Sequence, residues 1–384
     1  MKGACQIVIC GDICPTPDTE ALFRSGNVKG LFKNLSAILE EADFVVGNLE
    51  CPLTNIGEGI AKCGPVLRAR TECIKVMKAA GFGLLGVANN HIRDCGNEGV
   101  LSTLECCREN GILTVGAGKN AAAAKEPLIV EVEGWRIGFM AFAEHEFNAA
   151  SEDQGGANLL DPFQSFDQLR QVRGQCDYLI VLYHGGIEHY PYPSPMLQTK
   201  CRKMVESGAG LVVCQHSHCV GTSESHNGGT ILYGQGNTVY GYRPKSPDWN
   251  QGLIVRISLS ENGQAEAQVE YLPILADTSG IDLMPPDRAA QLLRAISERS
   301  QRINDQAFVK ESWRCFCISR QAHYLPLLLG HGRIANFANR KLKNAIVNVL
   351  FSRKRMRITM NLIRCEAHRE VVQTILEDYA QGDS

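Results

Sequence analysis

The stretch LLGVANNH, residues 84–91, runs from an apolar segment directly into three polar side chains, Asn89, Asn90 and His91. The apolar half reads as a strand. Several polar groups placed directly after such a strand are costly unless they are satisfied or used. The same signature recurs outward along the chain. Gly11-Asp12 follows the run 4–10, Asn48-Leu49-Glu50 follows 44–46, His184-Gly185-Gly186 follows 178–183, and His216-Ser217-His218 follows 211–214. In α/β sheets the carboxyl ends of strands converge on one edge, where side chains distant in sequence meet.

Between these segments, helix-like polar stretches at 71–80 and 98–110 end in Ala80-Gly81 and Asn110-Gly111, both good helix stops. Further apolar runs at 128–132, 136–142, 231–233, 253–259 and 267–272 predict strands, and Asn262-Gly263 predicts a hairpin turn between the last two. Two strand-rich halves, each with helices, predict an α/β fold of two stacked mixed sheets covered outside by helices. Near Met284-Pro285-Pro286 the pattern changes. From Arg288 helical periodicity takes over, with Ala289, Leu292, Leu293 and Ile296 on one face and Ile334, Phe337, Ile346 and Leu350 continuing the theme. Residues 1–284 are thus expected to form the sheet domain and 285–384 a helical, basic extension. Residues 333–369 hold ten basic side chains against one acid, Glu366.

The 384 residues are 44% hydrophobic and 21% charged, the composition of a globular protein. A net charge of −2 gives the whole molecule no field that selects nucleic acid or an anionic membrane, so nucleic acid is not an expected partner. The sixteen cysteines include no Cys-x-x-Cys pair and read as buried, reduced thiols. The apolar run before Gly11 is too short for a signal peptide, and no run reaches the length of a membrane span. A cytoplasmic protein is expected, with any membrane contact peripheral at the inner face.

Carboxylates, an asparagine amide and imidazoles from three positions form a donor set suited to divalent Mn, Fe or Zn. One ion needs three or four protein ligands. The surplus points to two ions sharing one carboxylate, with a metal-activated hydroxide as nucleophile.

Seven blocks, GDICPTP, ADFVVGNLECPLT, GFGLLGVANNHIRDCGNEGVLST, VGAGKNAAAAKEPLIVEVEGWRIGFMAF, DYLIVLYHGGIEHYPYPSP, GAGLVVCQHSHCVGTSE and ILYGQGNTVY, span roughly residues 5–242. In content and order they resemble the CapA-type capsule-synthesis, or poly-gamma-glutamate, proteins, whose fold belongs to the calcineurin-like metallophosphoesterase superfamily. The resemblance implies a four-layer αββα sandwich. It implies Asp12, Glu50, Asn90, His184, His216 and His218 as metal ligands, with Glu50 bridging, and His91 and Asn89 as catalytic groups. Asn48, Asp94, Glu188 and Cys14 would support the ligands or the substrate. An extended segment would turn the imidazoles of His216 and His218 the same way, each toward a different ion. Two departures from the superfamily pattern stand out. Cys14 occupies the place of the histidine in Asp-x-His, and Glu50 replaces the usual Gly-Asp.

The function so implied is metal-dependent hydrolysis in the synthesis, processing or release of an anionic polymer such as poly-gamma-glutamate. Two alternatives stay open. One is a phosphodiesterase or phosphomonoesterase acting on a small-molecule or glycan phosphate. The other is a non-catalytic scaffold of a polymer-synthase complex. The basic tail reads as a solvated helix face or as a contact for an anionic membrane or polymer.

Overall fold

The computed structural model describes residues 2–62, 64–261, 265–328, 333–343, 345, 353–364, 368–372 and 376. Strand β1 (Cys5–Ile13) is central to an eight-stranded mixed sheet. On one side it pairs in parallel with β2 (Phe44–Leu49), followed by β3 (Phe82–Gly86) and β4 (Leu113–Val115). On the other side, antiparallel β14 (Gln251–Glu261) and β15 (Ala265–Asp277) form the expected hairpin, and β16 (Gly280–Leu283) closes the sheet. The hairpin's turn residues, Asn262 and Gly263, lie outside the described residues. Short β13 (Asn237–Val239) also pairs with β1.

The second sheet has six strands. In spatial order they are β11 (Ser223–His226), β12 (Gly229–Leu232), β10 (Leu211–Gln215), β9 (Tyr178–His184), β7 (Trp135–Ala143) and β6 (Leu128–Val132). A small pair, β5 (Ala117–Gly118) and β8 (Gly156–Ala157), stands apart.

Side-chain alternation in β9 and β10 shows why these runs are apolar throughout. Ile180, Leu182, Leu211 and Val213 belong to the core shared with the first sheet. Their neighbours Leu179, Val181, Tyr183, Val212 and Cys214 face the opposite way, into a second core with Leu169, Cys201 and Met204 from helices Ser165–Arg173 and Pro195–Glu206. Helices Val28–Phe32, Leu35–Glu41, Ile74–Ala79 and Gly96–Glu109 pack against the first sheet. The result is a four-layer αββα sandwich of two mixed sheets.

Helices Pro286–Arg302, Gln306–Leu327, Arg333–Lys341 and Arg353–Arg364 make up the helical C-terminal region. Composition changes at 284/285, but compactness divides the chain into Met1–Lys310 and Glu311–Ser384. The first of these helices buries Ile296, and its Ser300 accepts a 2.8 Å hydrogen bond from the Ser223 amide, which ties it to the sheet domain. Of the expected apolar face, Ile334 and Phe337 lie on helix Arg333–Lys341, where Phe337 is exposed, and Ile346 and Leu350 lie outside the described residues. Among the described cysteines, those of the sheet domain are buried and unpaired, as expected. Cys315 and Cys317 depart from that reading, since their helix leaves them exposed.

Candidate functional site

Every expected ligand lies at or just past the carboxyl end of a parallel strand. Asp12 is the penultimate residue of β1, and Glu50 directly follows β2. Asn90 and His91 lie in the loop after β3, His184 ends β9, and His216 and His218 follow β10. At Gly11 the chain passes so near Gly236 that a Cβ would overlap its carbonyl oxygen. The Gly11 amide donates to Thr238 Oγ1 at 2.7 Å, which fixes Asp12 beside it.

These side chains converge in two groups. Glu50, His184 and His216 place ligand atoms within 4.8 Å of one another, and so do Asp12, Glu50 and His218. Glu50 belongs to both. Its Oε1 lies 3.6 Å from His184 Nε2 and 3.7 Å from His218 Nε2, while Asn90 Oδ1 lies 3.0 Å from His184 Nε2. Donors sharing one ion at bond lengths of about 2.1 Å sit roughly 3–3.4 Å apart, so the cluster is near that spacing. His216 and His218 do reach different groups, but the extended segment expected between them is absent. Both take positive φ, +92° and +51°, and the His216 amide donates to Asp12 Oδ2 at 3.0 Å. A left-handed turn held by the first carboxylate, and not strand alternation, aims the two rings.

Burial makes the cluster unstable as a set of free charges. Asp12 and Glu50 are fully buried, and desolvation raises both carboxyl pKa values. The charge of Asp12 raises Glu50 further. His184 and His218 move the other way, well below the usual imidazole value, first through burial and then through neighbouring imidazoles. A neutral imidazole is the metal-ligating form. Among the described residues, Glu50 Oε2 and His216 Nδ1 are buried without a hydrogen-bond partner. Two adjacent carboxylates, neutral imidazoles and two orphaned donor atoms fit divalent cations.

The supporting residues are equally specific. Asn48 donates to Asp12 Oδ1 at 2.7 Å and lies 3.2 Å from His184 Nδ1, so one amide orients a ligand from each sheet. Asn89 uses its side chain on the backbone, donating to the Leu49 carbonyl at 2.7 Å and accepting the His91 amide at 3.1 Å. His91 Nδ1 sits 2.6 Å from Asp94 Oδ2, which leaves Nε2 for the cleft. Glu188 is half-exposed at the rim, 3.8 Å from His189. Cys14 is buried in the cleft wall, its thiol 3.7 Å from the Pro15 carbonyl, and belongs to neither ligand group.

Sequence reading missed several partners. Lys62 pairs with Asp94 at 2.6 Å, and Asn237 Oδ1 lies 2.9 Å from His218 Nδ1. Tyr240 reaches Glu50 at 3.5 Å, and the Trp249 ring lies 4.6 Å from that of His218. Asn237 was detectable as a polar residue within the last apolar block, whereas Lys62 lies in a polar loop with no distinguishing signal. A cavity of about 790 Å³ opens onto Asn90, His91 and His218, and Lys62, Arg68, Tyr242 and Arg243 line it farther out.

The family model for the bacterial capsule synthesis protein PGA_cap matches residues 6–242. The chain is 28% identical over 281 residues to the capsule biosynthesis protein CapA of Bacillus anthracis, covering 70% of this chain and 67% of that one. It is 27% identical over 273 residues to the PGA biosynthesis protein CapA of Bacillus subtilis, covering 69% and 70%. A phosphatase structure from Mycoplasma pneumoniae overlaps 72% of this chain and 95% of its own at 13% identity, with a TM-score of 0.47. With the match running from β1 through the strand that carries Asn237, this chain belongs to the bacterial capsule synthesis protein PGA_cap family.

Proposed function

We propose that this chain is a metal-dependent hydrolase that acts in the synthesis, processing or release of an anionic capsule polymer such as poly-gamma-glutamate. The observation that carries the reading is Glu50, fully buried and shared by two ligand groups beside an open cleft. Two divalent ions, of Mn, Fe or Zn character, would be held by Glu50, His184, His216 and Asn90 on one side and by Asp12, Glu50 and His218 on the other. When bound, such ions polarise a phosphoryl or carbonyl oxygen and make an oxygen nucleophile available at neutral pH.

The chain's own residues do the rest. Asp12 and Glu50 balance the cations, and Asn48 keeps Asp12 and His184 in register. His91, fixed through Nδ1 by Asp94, holds a proton at Nε2 for the leaving group. Asn89 positions the loop that carries His91. Exposed Met356, Ile358 and Met360, with Arg357 on the same helix, support a contact of the basic C-terminal region with an anionic surface, the inner membrane face or a polymer-synthase complex there.

Metal analysis of the purified protein beside an Asp12→Ala, His216→Ala double variant tests the reading. The expected result is metal in the first and none in the second, and equal content would refute the site. Turnover of an aryl phosphodiester with added manganese, but not of the polymer, would move the assignment to a phosphoesterase. Capsule formation that survives His91→Ala but not deletion of residues 285–384 would replace the enzyme with a scaffold.

A further inference from the structure

Three cations line the cleft, and they are not equivalent. Lys62 is buried in its ion pair with Asp94. Arg68 donates Nη1 to the Gly57 carbonyl at 3.2 Å. Arg243 forms no salt bridge among the described residues, although the charge of Glu188 acts on it. Glu188 lines the same cleft, but it stands half-exposed beside His189.

The guanidinium of Arg243 is nevertheless held in place. Its carbon lies 3.1 Å from the centre of the Trp249 ring. The Arg243 amide donates to Asn250 Oδ1 at 2.9 Å, and Asn250 Nδ2 returns a 2.8 Å bond to the Arg243 carbonyl. Trp249 is itself buried, with Nε1 donating to the carbonyls of Tyr240 and Gly241 at 3.2 and 3.1 Å. A guanidinium held by its carbon over an indole face still has N–H groups to offer, the fork that matches a carboxylate or phosphate. The 3.1 Å stack, together with the 4.6 Å contact between Trp249 and His218, puts the guanidinium carbon within about 8 Å of the His218 ring. One substrate can touch both. Arg243 lies one residue beyond the segment matched by the family model, so the family pattern does not supply this role.

We infer that Arg243 is a specificity-determining residue that receives an anionic group, carboxylate or phosphate, of the substrate whose reacting bond lies against His91. The inference rests on the reading of this cleft as the substrate site. The test measures binding of two probes, a γ-linked glutamate oligomer and inorganic phosphate, to the full chain by calorimetry. A neutral γ-linked glutamine oligomer serves as control. Arg243→Ala and Arg243→Gln are expected to weaken the anionic probe by about ten- to a hundredfold. Arg243→Lys is expected to recover part of the loss, since it restores charge but not the planar fork. Metal content and melting temperature should stay unchanged in all three.

Loss confined to the oligomer identifies a polymer carboxylate as the group. Loss confined to phosphate supports the role of Arg243 and removes the polymer reading. If both probes bind Arg243→Ala as tightly as the wild type, the inference falls and the polymer reading stands. If the wild type binds neither, the inference falls together with that reading.

Discussion

The two sheets bring opposite chemistry to their common edge. The eight-stranded sheet supplies oxygen: Asp12 from β1, Glu50 just after β2, and Asn90 after β3. The six-stranded sheet supplies nitrogen, with His184 at the end of β9 and His216 and His218 after β10. Burial pushes the two sets in opposite directions on the pH scale but to the same state. It raises Asp12 and Glu50 and lowers His184 and His218, so each half alone prefers to be uncharged. Neither sheet is a site by itself. The sandwich makes one by closing the oxygen half onto the nitrogen half, and cations are the species that both halves favour together.

The comparison breaks most visibly at Glu50. Because both ligand groups share it, Glu50→Gln is expected to lose both ions, whereas His184→Ala should lose only the one bound in its group. Metal stoichiometry of the two variants separates these outcomes, and equal losses would contradict the shared role. Next in size is His91→Ala, expected to lower turnover by roughly 10²–10⁴-fold with metal content intact. A parallel loss of metal would make His91 a ligand and not a proton carrier.

A structural consequence follows at Asp94, which holds Lys62 at 2.6 Å and also accepts the Leu67 amide at 2.6 Å. Asp94→Ala leaves a buried ammonium unpaired and is expected to destabilise the fold by about 3–5 kcal/mol. Adding Lys62→Met should recover part of that in thermal denaturation, and no recovery would show that the lysine is not the source of the strain.

The smallest effect contrasts Glu50 with a carboxylate outside the site. Burial raises Asp177 too, but the Arg136 amide and the Arg136 and Lys2 side chains outweigh it, leaving its pKa at about 2. A depressed carboxyl pKa contributes stability above the unfolded value, and that contribution is lost as pH falls through the folded one. Wild-type stability should therefore drop between about pH 4 and 2 more steeply than that of Asp177→Asn. Identical acid unfolding profiles would show that Asp177 carries no such contribution.

Much of the fold was visible in the chain because buried strands must be apolar on both faces. The runs at 178–183 and 211–214 correspond to β9 and β10 almost residue for residue. Short β13 escaped, since Asn237 and Thr238 interrupt its apolar character. The ligand candidates were visible for a related reason, as polar side chains placed where strands end. Their supporting partners were less so. Asn89 looks the same in sequence whether its amide faces substrate or the Leu49 carbonyl, and only the packed loop distinguishes the two. Trp249 and Arg243 lie beyond the recognised blocks, and nothing local marks them as a platform and a fork.

From sequence alone came the residue types, their order and their placement after apolar strands, because local pattern and burial dictate them. Which atoms meet was decided by tertiary structure alone. Glu50 became common to two groups because the stacked sheets bring their strand ends to the same side, and His216 and His218 diverged through a left-handed turn pinned by Asp12, a residue 204 positions away. Such contacts depend on long-range packing, which no local periodicity encodes.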